Sequence, residues 1–122
     1  DDFDRLTGNT AETHVRRTSP VGVFAGGYTP EGVSDLTGNV LAWTTSAFGR
    51  NADVPEYGYP YRADDGREEA DTSNAVRRVA RGGGWHVDHS FARAAFRDFV
   101  HPANGDYAYG LRVVVALSSP IP

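Results

Sequence analysis

The chain has no cysteine, no methionine, no lysine and no glutamine. Without cysteine there is no disulfide, no thiolate nucleophile and no zinc–thiolate site. All 12 basic side chains are arginine, which suggests a GC-rich coding sequence and a thermophilic source. Long hydrophobic runs are missing as well. None approaches the roughly 20 residues that a membrane helix needs, and no basic-then-apolar segment opens the chain. The chain begins abruptly on Asp1-Asp2-Phe3-Asp4, which points to an absent upstream segment. Nor is there a surplus of basic charge. The 16 acidic side chains outnumber the 12 basic ones, for a formal net charge of −4, which argues against general nucleic-acid binding. None of these absences names a compartment.

What is present suits a single small domain over residues 1–122 with one modest core. Glycine and proline fall in turn-like groups: Gly26-Gly27, Thr29-Pro30, Gly82-Gly83-Gly84, Asn104-Gly105. That punctuation predicts a loop-rich fold. Residues 1–19 read as irregular, and Pro20 to Phe24 as a strand or extended loop. The stretch 47–77, broken by Pro55, Gly58 and Pro60, reads as the least structured part, with Asp64 to Glu69 a solvated charged loop. Val76 to Arg81 predicts a strand running into the glycines. Phe91 to Arg97 fits a strand or a short helical turn. Gly110 to Leu117 is β-branched and apolar, the pattern of a buried strand. Residues alone therefore indicate an α+β or mainly β domain. The triple glycine lacks the lysine of a phosphate loop, and no nucleophile elbow accompanies the serines.

Four ordered motifs carry a resemblance. They are Ser19-Pro20-Val21-Gly22-Val23-Phe24, Gly32-Val33-Ser34-Asp35-Leu36-Thr37-Gly38-Asn39-Val40-Leu41-Ala42-Trp43-Thr44, Arg78-Val79-Ala80-Arg81-Gly82-Gly83-Gly84-Trp85, and Tyr109-Gly110-Leu111-Arg112-Val113-Val114. In this order, from about residue 18 to 116, the chain resembles the formylglycine-generating-enzyme (sulfatase-modifying factor) family. The resemblance implies an α+β, C-type-lectin-like fold, present as a C-terminal portion or a shortened version. Trp43 and Trp85 suit half-buried positions. Arg97 and Arg112, in apolar surroundings, call for carboxylate or carbonyl partners.

Two departures from that family matter. Its N-terminal portion is not represented here. Its enzymes also carry two cysteines five residues apart, which bind copper and attack substrate; Val87 and Ala92 stand at those positions. Neither can form a thiolate, so the resemblance implies a non-catalytic member. The family's "GNVWEW" turn binds calcium. Carried over, Asp35 would offer a side-chain oxygen and Gly38 and Val40 carbonyls, but Ala42 replaces the glutamate. A lost carboxylate weakens a hard-cation site, so an empty structural turn is the favoured reading and no other cofactor is implied.

Residues 85–109 hold His86, His89 and His101 together with Trp85, Phe91, Phe96, Phe99, Tyr107 and Tyr109. Aromatic anchors among adaptable polar residues are what binding surfaces use; Trp85 and Phe96 are expected in the core. The segment is similar to the diversified region of the variable proteins of diversity-generating retroelements. There, adenine-specific mutagenesis of AAC-type codons cannot yield Glu, Lys, Gln, Met or Trp, and none of the five occurs between His86 and Tyr109. That resemblance implies a ligand-binding segment 86–109 with variable positions His86, Val87, Asp88, His89, Phe91, Asp98, Phe99, Val100, His101, Asp106, Tyr107 and Tyr109. The partner would be a protein or other macromolecule.

Two alternatives stay open. An oxygenase-like enzyme of the same superfamily would draw metal ligands from His86, His89, His101 and Asp88 or Asp98. A non-catalytic partner-binding domain of a larger protein would instead expose an apolar patch on residues 1–30.

Overall fold

Strand formation starts where the Gly38-Asn39 turn ends. A computed structural model describes residues 3–69 and 75–115. Strand β1 runs Leu41–Gly49 and is rich in the aromatic and β-branched residues that pack on a pleated surface. It pairs antiparallel with β2, Arg77–Arg81, through Ala42↔Arg81 and Trp43↔Ala80, and again through Ala47↔Arg78 and Gly49↔Arg77. The register breaks between these two stretches, so β1 is bulged and bends. Strand β3, Asp98–Val100, pairs antiparallel with β2. Strand β4, Tyr109–Gly110, lies parallel to β1 along Leu41 and Ala42. The sheet order is β3-β2-β1-β4. Helical structure among the described residues is limited to short 3-10 turns at Ala11–Thr13, Ala25–Gly27 and His89–Ala92.

The core is small. Leu41, Ala80 and Val100 cluster at its centre, and Trp43 and Tyr109 pack against them from half-buried positions. A polar knot holds the loops to this sheet. Asn9 is fully buried, and its Nδ2 donates to the Arg17 carbonyl at 2.9 Å, with Ser19 Oγ and Asn39 Oδ1 each at 3.3 Å. Asn39, at φ 67, accepts from the Ser19 N–H at 2.9 Å and donates its own N–H to the Asn9 carbonyl at 2.7 Å. A buried amide needs such partners, and here it ties three distant segments together.

Several expectations change. The buried strand over 110–117 is not formed: β4 ends at Gly110, and Leu111, Val113, Val114 and Val115 are 77–82 % exposed. No described strand runs beside 111–115 to accept its backbone groups or cover its side chains; residues 116 and 117 lie outside the described ones. The stretch read as least structured begins with the last residues of β1, where Ala47 and Phe48 are buried. Of the two alternatives read for each, Pro20 to Phe24 takes the loop, and Phe91 to Arg97 holds the end of a 3-10 turn, the helical alternative. Phe96 is half-buried rather than core, and Trp85 takes the half-buried position that its large apolar body and single donor suit.

Candidate functional site

The loop between β2 and β3 turns on glycines. Gly82 and Gly83 adopt φ 97 and 72, in the left-handed region. A Cβ on Gly83 would stand 2.9 Å from that of Ala92, so the loop folds back on itself only with glycine there. Asp88 then caps the turn His89–Ala92, its Oδ1 accepting from the Ser90 N–H at 2.8 Å.

This loop meets the one before β4 through aromatic rings. Trp85 and His86 are 5.4 Å apart, Trp85 and Tyr107 5.6 Å, and His86 and Tyr107 6.3 Å. His86 is exposed and Tyr107 is 71 % exposed. Asp88, Phe91, Phe99 and Asp106 are exposed too, while Val87, His89, Asp98, His101 and Tyr109 are half-buried. Three of these are partly claimed by packing: Phe91 meets Phe96 at 4.9 Å, Phe99 meets Phe48 at 4.7 Å, and Tyr109 meets Trp43 at 5.9 Å. Val100 departs from the expectation of a displayed residue. It is 2 % exposed and belongs to the core cluster, because β3 points it inward.

The residues named as metal ligands scatter. His101 Nδ1 faces the Ala103 N–H at 3.2 Å, and Asp98 accepts from the Phe99 N–H. Only Asp88 and His89 come together, joined by Glu12 from the first 3-10 turn. Glu12 Oε1 lies 3.0 Å from the His89 N–H and 2.8 Å from His89 Nδ1, and Oε2 accepts from the Thr10 hydroxyl at 2.6 Å. Burial alone would raise the Glu12 carboxyl, but the hydrogen bonds from Thr10 and His89 outweigh it and lower it to about 2. Asp88 is likewise held below its ordinary value, first by hydrogen bonding from Ser90. Glu12 lies 77 residues from His89, and nothing in the local sequence marks it.

Arg97 and Arg112 find carbonyl partners. Arg97 donates to Tyr57 at 2.7 Å between the Phe48 and Tyr59 rings, and burial lowers its pKa. Arg112 donates to the Ser34 and Asp35 carbonyls at 2.7 and 3.3 Å. The calcium-like turn is crowded by these contacts. One carboxylate oxygen of Asp35 accepts from the Gly22 N–H at 2.8 Å. The Gly38 Cα hydrogens face the Asn9 carbonyl, Val40 packs on Gly110, and Ala42 sits in β1 with no side-chain oxygen to offer. The Arg112 guanidinium lies at the edge of this turn, its Nη2 3.3 Å from the Asp35 carbonyl. Val87 and Ala92 offer no thiolate to copper.

A second surface opens along the turn itself. Val21, Leu36, Trp43, Leu111, Arg112 and Val114 line an open groove of about 880 Å³. Leu6, Val21, Val23 and Tyr28 are all well exposed on residues 1–30.

A small mixed sheet carrying long, knotted loops and only 3-10 turns is a loop-rich, C-type-lectin-like α+β fold. The model of the sulfatase-modifying factor enzyme 1-like domain matches residues 2–117, and the chain belongs to that family. Its fold is similar to that of Treponema denticola variable protein 1, with a TM-score of 0.55 at 19 % identity over 88 % of this chain and 35 % of that one. Two hercynine oxygenases are also similar. That of Mycolicibacterium smegmatis is 30 % identical over 104 residues, 81 % of this chain and 23 % of the relative. That of Mycobacterium tuberculosis is 30 % identical over 118 residues, 93 % of this chain and 24 % of the relative. The chain thus spans about a quarter of the length of these oxygenases. The family includes enzymes. No helix among the described residues is long and apolar enough to cross a membrane.

Proposed function

We propose that the chain is a non-catalytic ligand-binding variable protein of a diversity-generating retroelement. It presents residues 86–109 to a protein or other macromolecule, and nucleic acid is not its partner. The observation that carries this reading is the meeting of two loops at Trp85, His86 and Tyr107. Their rings cluster while His86 and Tyr107 face solvent. Rigid aromatic anchors of this kind bury large area at little entropic cost. Valine and alanine at positions 87 and 92 support a binding role over an oxidase. The turn at Asp35, Gly38 and Val40 is proposed as structural, without calcium.

Codon-level sequencing of the coding region across a clonal population tests the reading. Substitutions should cluster at the exposed positions of 86–109 and trace to template adenines. Evenly spread variation, or least variation there, would overturn it. Oxygen uptake on hercynine with iron(II) would instead make the chain an enzyme.

The groove supports a second reading, a partner-binding domain of a larger protein. Its apolar rim at Val21, Leu36, Leu111 and Val114 is the kind of surface that another domain covers. Cross-linking of full-length protein through Val21→Cys that captured an upstream segment of the same polypeptide would favour it. Capture of no such segment would count against it.

A further inference from the structure

Glu12, Asp88 and His89 each offer a ligand atom within 4.8 Å of the others. Among the described residues no other group of three such side chains comes so close. The donor set, one imidazole nitrogen and two carboxylate oxygens, suits zinc and its first-row neighbours better than a thiolate-seeking or an all-oxygen-seeking ion. Ligand atoms about 2.1 Å from a tetrahedral zinc stand about 3.4 Å from one another, so the trio needs only small side-chain adjustments. Asp88 is exposed, with its Oδ1 accepting from the Ser90 N–H, so its carboxylate approaches the ion by a small rotation about that contact.

Charge points the same way. The two carboxylates repel one another, and neither pairs with an arginine among the described residues. The His89–Glu12 contact is the one close pairing either carboxylate makes with a basic group, and it is an ion pair only when the imidazole is protonated. Two anions without a permanent counter-charge are what a divalent cation relieves. Positioning is already in place: the His89 ring is stacked on Phe3 at 5.3 Å, and Glu12 is held by the Thr10 hydroxyl. A cleft of about 410 Å³ opens beside His89, lined also by Phe3, Thr7, Ser90 and Arg93. On that side an ion held by His89 has room for water.

We propose that Glu12, Asp88 and His89 form a divalent-cation site of the zinc class that clamps the first 3-10 turn to the loop at 85–92. The cation takes the place of the proton shared by His89 Nδ1 and Glu12 Oε1. Asp88 and His89 lie within the segment proposed as variable, so the site belongs to this chain's own sequence, and the zinc titration reads it independently of the codon survey.

Zinc titrated into the 122-residue chain by calorimetry, with histidine ring resonances followed by NMR, tests it. One ion should bind per chain and shift the His89 ring, leaving His86 and His101 in place. His89→Ala and Glu12→Gln should each weaken binding roughly tenfold or more, while His101→Ala should not change it. Because Glu12→Gln loosens a structural contact and can unfold the turn, the ring shifts in unaltered protein stand as an independent readout. Binding that survives His89→Ala, ring shifts confined to His86 or His101, or no binding at a zinc concentration of about 100 μM would each overturn the proposal.

Discussion

Arg67 shows how a single charge is kept inside this molecule. Its side chain is 3 % exposed, yet Asp65 meets it twice, Nε to Oδ1 at 2.9 Å and Nη2 to Oδ2 at 2.6 Å. The Gly58 carbonyl takes another N–H, and the Tyr61 ring lies 4.7 Å away. Hydrogen bonding from Arg67 holds the Asp65 carboxyl below its ordinary value of 3.8, against an opposing push from burial. A depressed carboxylate stabilises the fold above that ordinary value and loses the contribution as pH falls below it. Asp65→Asn should therefore lower the melting temperature at neutral pH and flatten the acid limb of the stability curve; an unchanged limb would mean that the pair contributes nothing. Gly83 acts through its backbone. Gly83→Ala combines a left-handed φ, a cost of about 1–2 kcal/mol, with a clash against Ala92, and chemical denaturation should show at least that loss. The charged stretch 64–69 was legible in the sequence as a loop, but not that one of its residues turns inward. Charge alone carries no information about a partner two residues away that accepts it bidentately.

At the scale of elements, β2 was foreseen nearly residue for residue, because Val76 to Arg81 is compact, β-rich and stopped by glycine. β1 was not. Its bulges break the period of two that would have revealed it, and its partners are supplied by β2, tens of residues later. Leu41 opens β1 at 3 % exposure in the core cluster. Leu41→Ala should cost about 3 kcal/mol, within the usual range for such a deletion, measured by denaturant unfolding. The segment after β4 makes the opposite point. Its valines carry strong strand propensity, but propensity is realised only where a neighbouring strand accepts the ladder. An exposed apolar edge of this kind self-associates. Sedimentation of the 122-residue chain should show concentration-dependent association that Val113→Glu, Val115→Glu together diminish; a monomer at all concentrations would contradict this.

Over the whole molecule, burial within 86–109 predicts which positions tolerate change. Changes at His86, Asp106 and Tyr107 should leave unfolding free energy within about 0.5 kcal/mol, whereas Val100→Asp should abolish the folded state. A protease-resistance scan over 86–109 would read both, and a sensitive Tyr107 or a tolerant Val100 would refute the division. By itself the sequence determined the family, the loop-rich class and the segment where aromatics and histidines gather, since ordered motifs and local composition survive without coordinates. It also determined that these 122 residues carry no thiol. Tertiary structure alone decided which of those residues face solvent. It alone assembled the buried Asn9–Asn39 knot, brought Glu12 to Asp88 and His89, and left Val113 to Val115 uncovered. These are contacts between segments tens of residues apart, and loops without periodicity leave no local trace of what they will meet.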